Sequence, residues 1–128
     1  MVFSITKGIK VSVKTEYQSF YSNPQQNHFV FSYKVFIENH GDHTIQLLRR
    51  HWYIVDANGF KREVEGEGVV GYQPTLEPGQ RHEYVSGCNM NTQIGKMYGQ
   101  FQMIRILDGE VFEVQIPEFL MEVPYLLN

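Results

Sequence analysis

From Phe29 to Ile37 apolar residues hold every second position, Phe29, Phe31, Tyr33, Val35 and Ile37, with the polar Ser32 and Lys34 among the residues between them. Successive side chains on a strand point to opposite faces, so this run predicts a strand with one apolar and one polar face. No ten-residue window offers a competing helical stripe. The same period of two recurs between turn signals along the rest of the chain. Lys10 to Thr15 alternates polar and β-branched residues, and Asn39-His40-Gly41-Asp42 supplies a turn. Gln46 to Asp56 reads as a central strand with Leu48, Trp52 and Ile54 on the core face. Asp56-Ala57-Asn58-Gly59 then predicts a hairpin, Asn58 and Gly59 being residues that tolerate positive φ, and Phe60 to Glu65 returns as a strand. Leu76-Glu77-Pro78-Gly79 is a further turn, followed by a strand with Tyr84, Ser86, Cys88 and Met90 on one side. Asp108-Gly109 joins strands over Met97–Leu107 and Glu110–Ile116, and Pro117 is expected to end the second. The reading is all-β: seven to eight antiparallel strands in two packed sheets, forming a single domain over residues 1–128.

Composition narrows the function classes. Eleven Lys and Arg against 14 Asp and Glu give a net charge of −3, which argues against a nucleic-acid module. Cys88 is the only cysteine, so no intramolecular disulfide forms and a reducing compartment is compatible. The run Met1 to Lys7 has no apolar signal core, and the longest apolar run is Trp52 to Val55, far short of a bilayer span. The expected setting is cytoplasmic, without membrane insertion.

One segment carries a known spacing. Gly66-x-Gly68-x-x-Gly71 matches the dinucleotide fingerprint, which works by bringing a pyrophosphate to the N-terminus of a helix. Pro74 and Pro78 follow too soon for that helix, and Gly87 to Ile94 lacks the acidic residue such a site needs. Two readings remain. The glycines form a bulge and an irregular crossing between sheets, where a side chain would clash. Alternatively the loop exposes successive N–H groups as an anion nest, with Arg49, Arg50, Lys61 and Arg62 supplying positive charge and Glu63, Glu65 and Glu67 opposing it. Candidate ligand-binding residues are therefore Gly66, Gly68, Gly71, Arg49 and Arg50, for a phosphate-bearing small molecule.

Other constellations are thinner. His40-x-x-His43 with Asp42 falls short of a zinc ligand set and reads as a polar turn. Glu63, Glu65 and Glu67 share a strand face and are either ligands for a hard cation or charges guarding an edge strand. Cys88 is a nucleophile only if folding brings His51 or His82 to it; its alternation with Ser86 and Met90 favours burial. Neither a catalytic set nor a cofactor motif emerges.

Several stretches, in this order and spacing, resemble the ApaG family. They include Gln46 to Trp52, Val64-Glu65-Gly66-Glu67-Gly68-Val69-Val70-Gly71-Tyr72-Gln73-Pro74, Leu76-Glu77-Pro78-Gly79, Tyr84 to Cys88 and Gly95 to Gly99. The likeness runs from about Gly8 to Pro117; Tyr72 stands where an acidic residue is common, and His82-Glu83 where Phe often precedes the tyrosine. The resemblance implies an immunoglobulin-like or fibronectin type III-like sandwich, and Leu76-x-Pro78-Gly79 looks like the turn before a tyrosine corner. It implies an association with cobalt and magnesium efflux, indirect in a chain without a membrane segment, and use as an accessory interaction domain. The leading expectation is a non-enzymatic module with an unidentified protein partner and no cofactor. The alternatives are a nucleotide or pyrophosphate sensor and a direct divalent-metal binder; exposed sandwich edges make a homodimer plausible.

Overall fold

The computed structural model describes residues 1–127. Nine strands follow in order: β1 (Val2–Thr6), β2 (Ile9–Tyr17), β3 (Phe29–Asn39), β4 (Ile45–Asp56), β5 (Lys61–Glu67), β6 (Thr75–Leu76), β7 (Arg81–Met90), β8 (Ile94–Arg105) and β9 (Val111–Glu122). They form two antiparallel sheets, one ordered β1-β2-β3-β7 and the other β5-β4-β8-β9, with β6 also on β4. Helical structure among the described residues is confined to 3-10 turns at Ser19–Tyr21, Pro24–Gln26 and Pro124–Leu127. The count exceeds seven to eight because of β1 and the two-residue β6. The β1–β2 hairpin hides its signal in Lys7-Gly8, whose φ angles of 49° and 80° make a tight two-residue turn.

The alternating strands bury the faces expected of them. Phe29, Phe31, Tyr33, Val35 and Ile37 of β3 face Leu47, Trp52, Phe101, Met103, Val114 and Phe119 of the other sheet in one core cluster. Trp52, 2% exposed, packs edge-on against Tyr33, Phe101 and Phe119. The Asp56–Phe60 turn is held by the Asp56 carboxylate, which accepts from the N–H groups of Asn58 and Phe60 at 3.0 and 3.1 Å. Its positive φ falls on Gly59 alone. The Asp108-Gly109 hairpin forms as read, with Arg105 N donating to Glu110 O.

Two expectations fail for one reason, a bulge. Leu48 does not share the core face with Trp52: β4 shifts register against β8 between Leu47 and Arg49, so Ile45 and Leu47 point inward instead. Pro117 does not end its strand. β9 continues to Glu122, shifting register against β8 between Met97 and Gly99, with Pro117 between the paired residues Ile116 and Phe119. A proline is tolerated there because β9 is an edge strand with a bulge.

The two long sides of the sandwich differ. On one, β1 and β2 lie against β9. Ser4 Oγ donates to Gln115 O at 2.8 Å, Gln115 N donates to Thr6 Oγ1 at 3.1 Å, and Lys7 lies 3.7 Å from Glu110. On the other, edge strands β5 and β7 face each other across a gap.

Candidate functional site

The glycine segment runs along that gap. β5 pairs with β4 as far as Arg49 opposite Glu67, and Gly68 N then donates to Leu48 O at 2.9 Å. Val69 and Tyr72 exchange both backbone hydrogen bonds, at 2.8 and 3.0 Å, closing a two-residue turn over Val70 and Gly71. Both turn residues are left-handed, at φ 48° and 82°. The chain returns to the same edge of β4, where Leu47 N donates to Pro74 O and β6 begins. The segment is thus an excursion along one edge; it does not cross between sheets. The crossing is made by the Glu77–Gln80 turn, with Gly79 at φ 87°.

Two of the glycines have steric reasons to be glycine. A Cβ on Gly68, itself at φ 62°, would stand 2.2 Å from the Tyr72 carbonyl oxygen. A Cβ on Gly66 would stand 3.1 Å from Arg50 Nη1. The N–H groups of Gly68, Val69 and Tyr72 are already spent, the first on Leu48 O of β4 and the other two within the turn, so the backbone presents carbonyls here. Arg50 Nη1 donates to Glu67 O at 2.9 Å and Gly68 O at 3.0 Å.

The four basic residues near the segment divide by strand parity. Arg50 shares the inward parity of Trp52 and Ile54, and Arg62 pairs with Ile54, so both point between the sheets. Arg49 is exposed beyond the bulge, and Lys61 lies over the Tyr53 ring on the outer face, its Nζ 4.6 Å from the ring centre. Facing Arg50 and Arg62 is the inward row of β7: His82, Tyr84, Ser86 and Cys88. Between the two arginines and residues 86–89 of β7 opens a cleft of about 280 Å³, with Tyr33 and Trp52 in its floor. At one end Arg62 Nη2 reaches Cys88 Sγ at 3.5 Å and also donates to Asn89 O. Further along β7, beyond the cleft, the Tyr72 ring lies 6.3 Å from the His82 ring.

The interior of this row is polar and incompletely satisfied. Tyr84 Oη and His82 Nε2 are buried and find no hydrogen-bond partner among the described residues. The Tyr84 hydroxyl therefore does not make the bond of a tyrosine corner, despite the turn that precedes it. Burial pushes the Tyr84 phenol well up from its ordinary range, with Arg50 pulling the other way. Tyr33 is raised for the same reason, opposed by the Ser86 side chain. Burial also raises the Cys88 thiol against the pull of Arg62, which keeps it a protonated, poor nucleophile.

The remaining candidates do not converge. His51 lies on the outer face of β4, away from Cys88, with Nε2 at 3.1 Å from Glu63 and Nδ1 at 3.3 Å from Glu65. His82 shares the face of Cys88 but stands six residues along β7, about 20 Å at strand rise. Glu63, Glu65 and Glu67 alternate on β5, the first two occupied by His51; His40 sits 3.6 Å from Glu38. Among the described residues no three of His, Cys, Asp and Glu gather as metal ligands. Sequence reasoning named Arg50 but missed Tyr33, Tyr84 and Ser86 as its neighbours. The signal was there: Tyr84 and Ser86 share an inward face with Cys88 and Met90, and polar groups on a core face need partners.

A family model described as the ApaG domain matches residues 19–105. The chain belongs to the ApaG family. It is 45% identical over 124 residues to the protein ApaG of Brucella canis, covering 97% of this chain and 95% of the relative. The Brucella anthropi ApaG is 46% identical with the same coverage. Among solved structures, that of the protein called ApaA from Bordetella pertussis superposes with a TM-score of 0.88 at 43% identity, covering 95% of each chain. As an ApaG relative the chain shares the sandwich of these proteins. No helix among the described residues is long and apolar enough to cross a membrane.

Proposed function

We propose that this ApaG-family chain is a non-catalytic cytoplasmic interaction module that recruits a partner protein by strand addition on β7. The observation that carries this reading is the contrast between its two free edges on the open side. β5 has charge at five of its seven positions (Lys61, Arg62, Glu63, Glu65 and Glu67), the usual defence against unwanted pairing. β7 carries none from Tyr84 to Met90, with Val85 56% exposed at its middle. An undefended edge strand is a template for an extended segment, whose backbone supplies affinity and whose alternate side chains supply specificity. In this reading the family's link to cobalt and magnesium efflux runs through the partner, and the protein neither forms a pore nor turns over a substrate.

The test is crosslinking in native lysate followed by amide exchange on the captured complex. The expected result is a reproducible partner that protects residues 81–90 and whose capture falls at least tenfold in Val85→Glu, an edge charge placed opposite Lys34. Protection on β1 or β9 instead, or full capture by Val85→Glu, contradicts strand addition. Turnover of a substrate by the purified protein contradicts the non-catalytic reading.

A further inference from the structure

We propose that the cleft between β5 and β7 is a binding site for the oxyanion of a small phosphate- or carboxylate-bearing ligand, held between Arg50 and Arg62. The proposal does not depend on strand addition at β7. It moves the anion site away from the glycine loop, whose N–H groups are largely spent, to the two arginines facing the gap.

Three observations support it. The cleft is lined by two guanidinium groups and by no acidic side chain, in a chain whose net charge is −3. Neither Arg50 nor Arg62 takes part in an ion pair among the described residues, whereas Arg81 and Arg105 do. Guanidinium charge beside low-dielectric walls such as Trp52, Ile54 and Met97 draws an anion more strongly than it would in open water.

The second observation is preorganisation. Arg50 Nη1 is fixed by the Glu67 and Gly68 carbonyls and Arg62 Nη2 by Asn89 O, so both charged groups are held in place before a ligand arrives. Gly66 and Gly68 act here as positioning residues: the first leaves room for the guanidinium, and the second turns the chain so that both carbonyls meet it. The third observation is the floor: the Tyr33 and Trp52 rings line the cleft beside the two arginines and offer a flat body an aromatic wall. At about 280 Å³ the cleft takes a single oxyanion with a small flat body against Tyr33 and Trp52, and is too small for a whole dinucleotide.

Trp52 is the only tryptophan and lies in the floor of the cleft, so its emission reads occupancy directly. Purified protein is titrated separately with inorganic phosphate, inorganic pyrophosphate and benzoate at physiological salt, following Trp52 emission. The expected result is a saturable change with at least one probe. A response to the phosphates alone assigns a phosphate ligand, and a response to benzoate alone assigns a carboxylate. Arg62→Gln, at an exposed position and confirmed folded by its melting curve, weakens binding about tenfold, the loss of one charged hydrogen bond. Arg50→Gln weakens it at least as much, while Arg49→Gln and Gly71→Ala leave it unchanged. No saturable response to any probe overturns the proposal. So does undiminished binding by Arg62→Gln, or an equal loss in Arg49→Gln or Gly71→Ala.

Discussion

The two long sides of this sandwich are built from similar edge strands and end in opposite states. At the β1–β9 side the inward polar groups are small hydroxyls, and they find backbone partners in the other sheet: Ser4 and Thr6 both meet Gln115. At the β5–β7 side the inward polar groups include the large Arg50, Arg62, His82 and Tyr84, and two of them remain unsatisfied. Tyr84 and His82 lack partners among the described residues, Arg50 bonds its own sheet, and Arg62 alone reaches across, to Cys88 Sγ and Asn89 O at one end. Short polar side chains let two sheet edges approach and close. Long ones hold them apart and leave a cleft that keeps its polarity.

Four substitutions break or sharpen that contrast. The largest effect belongs to Gly68→Ala, because a left-handed backbone and the Tyr72 carbonyl 2.2 Å from the new Cβ both oppose it. Urea unfolding should show a loss of about 3 kcal/mol, from the left-handed penalty plus displacement of the loop. Next comes Arg50→Gln, which strips the carbonyls of Glu67 and Gly68 of a charged donor. It should cost about 2 kcal/mol and raise amide exchange in residues 66–72, leaving the β1–β9 side unaltered. On the closed side, Thr6→Val removes the acceptor for Gln115 N and should cost about 1 kcal/mol, seen as faster exchange at that amide. Smallest is Val70→Gly, which relieves a β-branched residue at φ 48° and should raise stability by several tenths of a kcal/mol in the same urea assay. A loss in Val70→Gly would show that the exposed valine is held by packing rather than merely tolerated.

Much of the architecture is legible in residue parity. The inward row of β3, the placement of Trp52, the Asp56–Phe60 and Asp108-Gly109 hairpins and the inward face of β7 all follow from alternation and turn chemistry. Bulges defeat parity because one extra residue reverses every side chain beyond it, which is why Leu48 departs from expectation; Pro117 departs because a bulge on an edge strand accommodates a residue without a donor. The site was half legible. Arg50 and the three glycines stand out in the chain, but the loop turns the Glu67 and Gly68 carbonyls toward the arginine, where a nest would turn N–H groups toward a phosphate. Grouping Arg49 with Arg50 fails because neighbours on a strand cannot face the same way. The meeting of Arg50 with Tyr33, Tyr84 and Ser86 crosses two sheets: parity puts Tyr84 and Ser86 on an inward face, but sequence neighbourhood does not say which residue they meet.

The most direct measurement of the central claim is residue-resolved amide exchange on the free protein, comparing β7 (residues 81–90) with β9 (residues 111–122). Both are terminal strands of their sheets, so edge position alone predicts equal protection. An open β5–β7 side and a stitched β1–β9 side predict that the free-edge amides of β7 exchange about tenfold faster, the equivalent of one or two lost hydrogen bonds. Equal protection, or slower exchange in β7, would show that the gap is closed in solution and would remove the basis for both the docking edge and the oxyanion cleft.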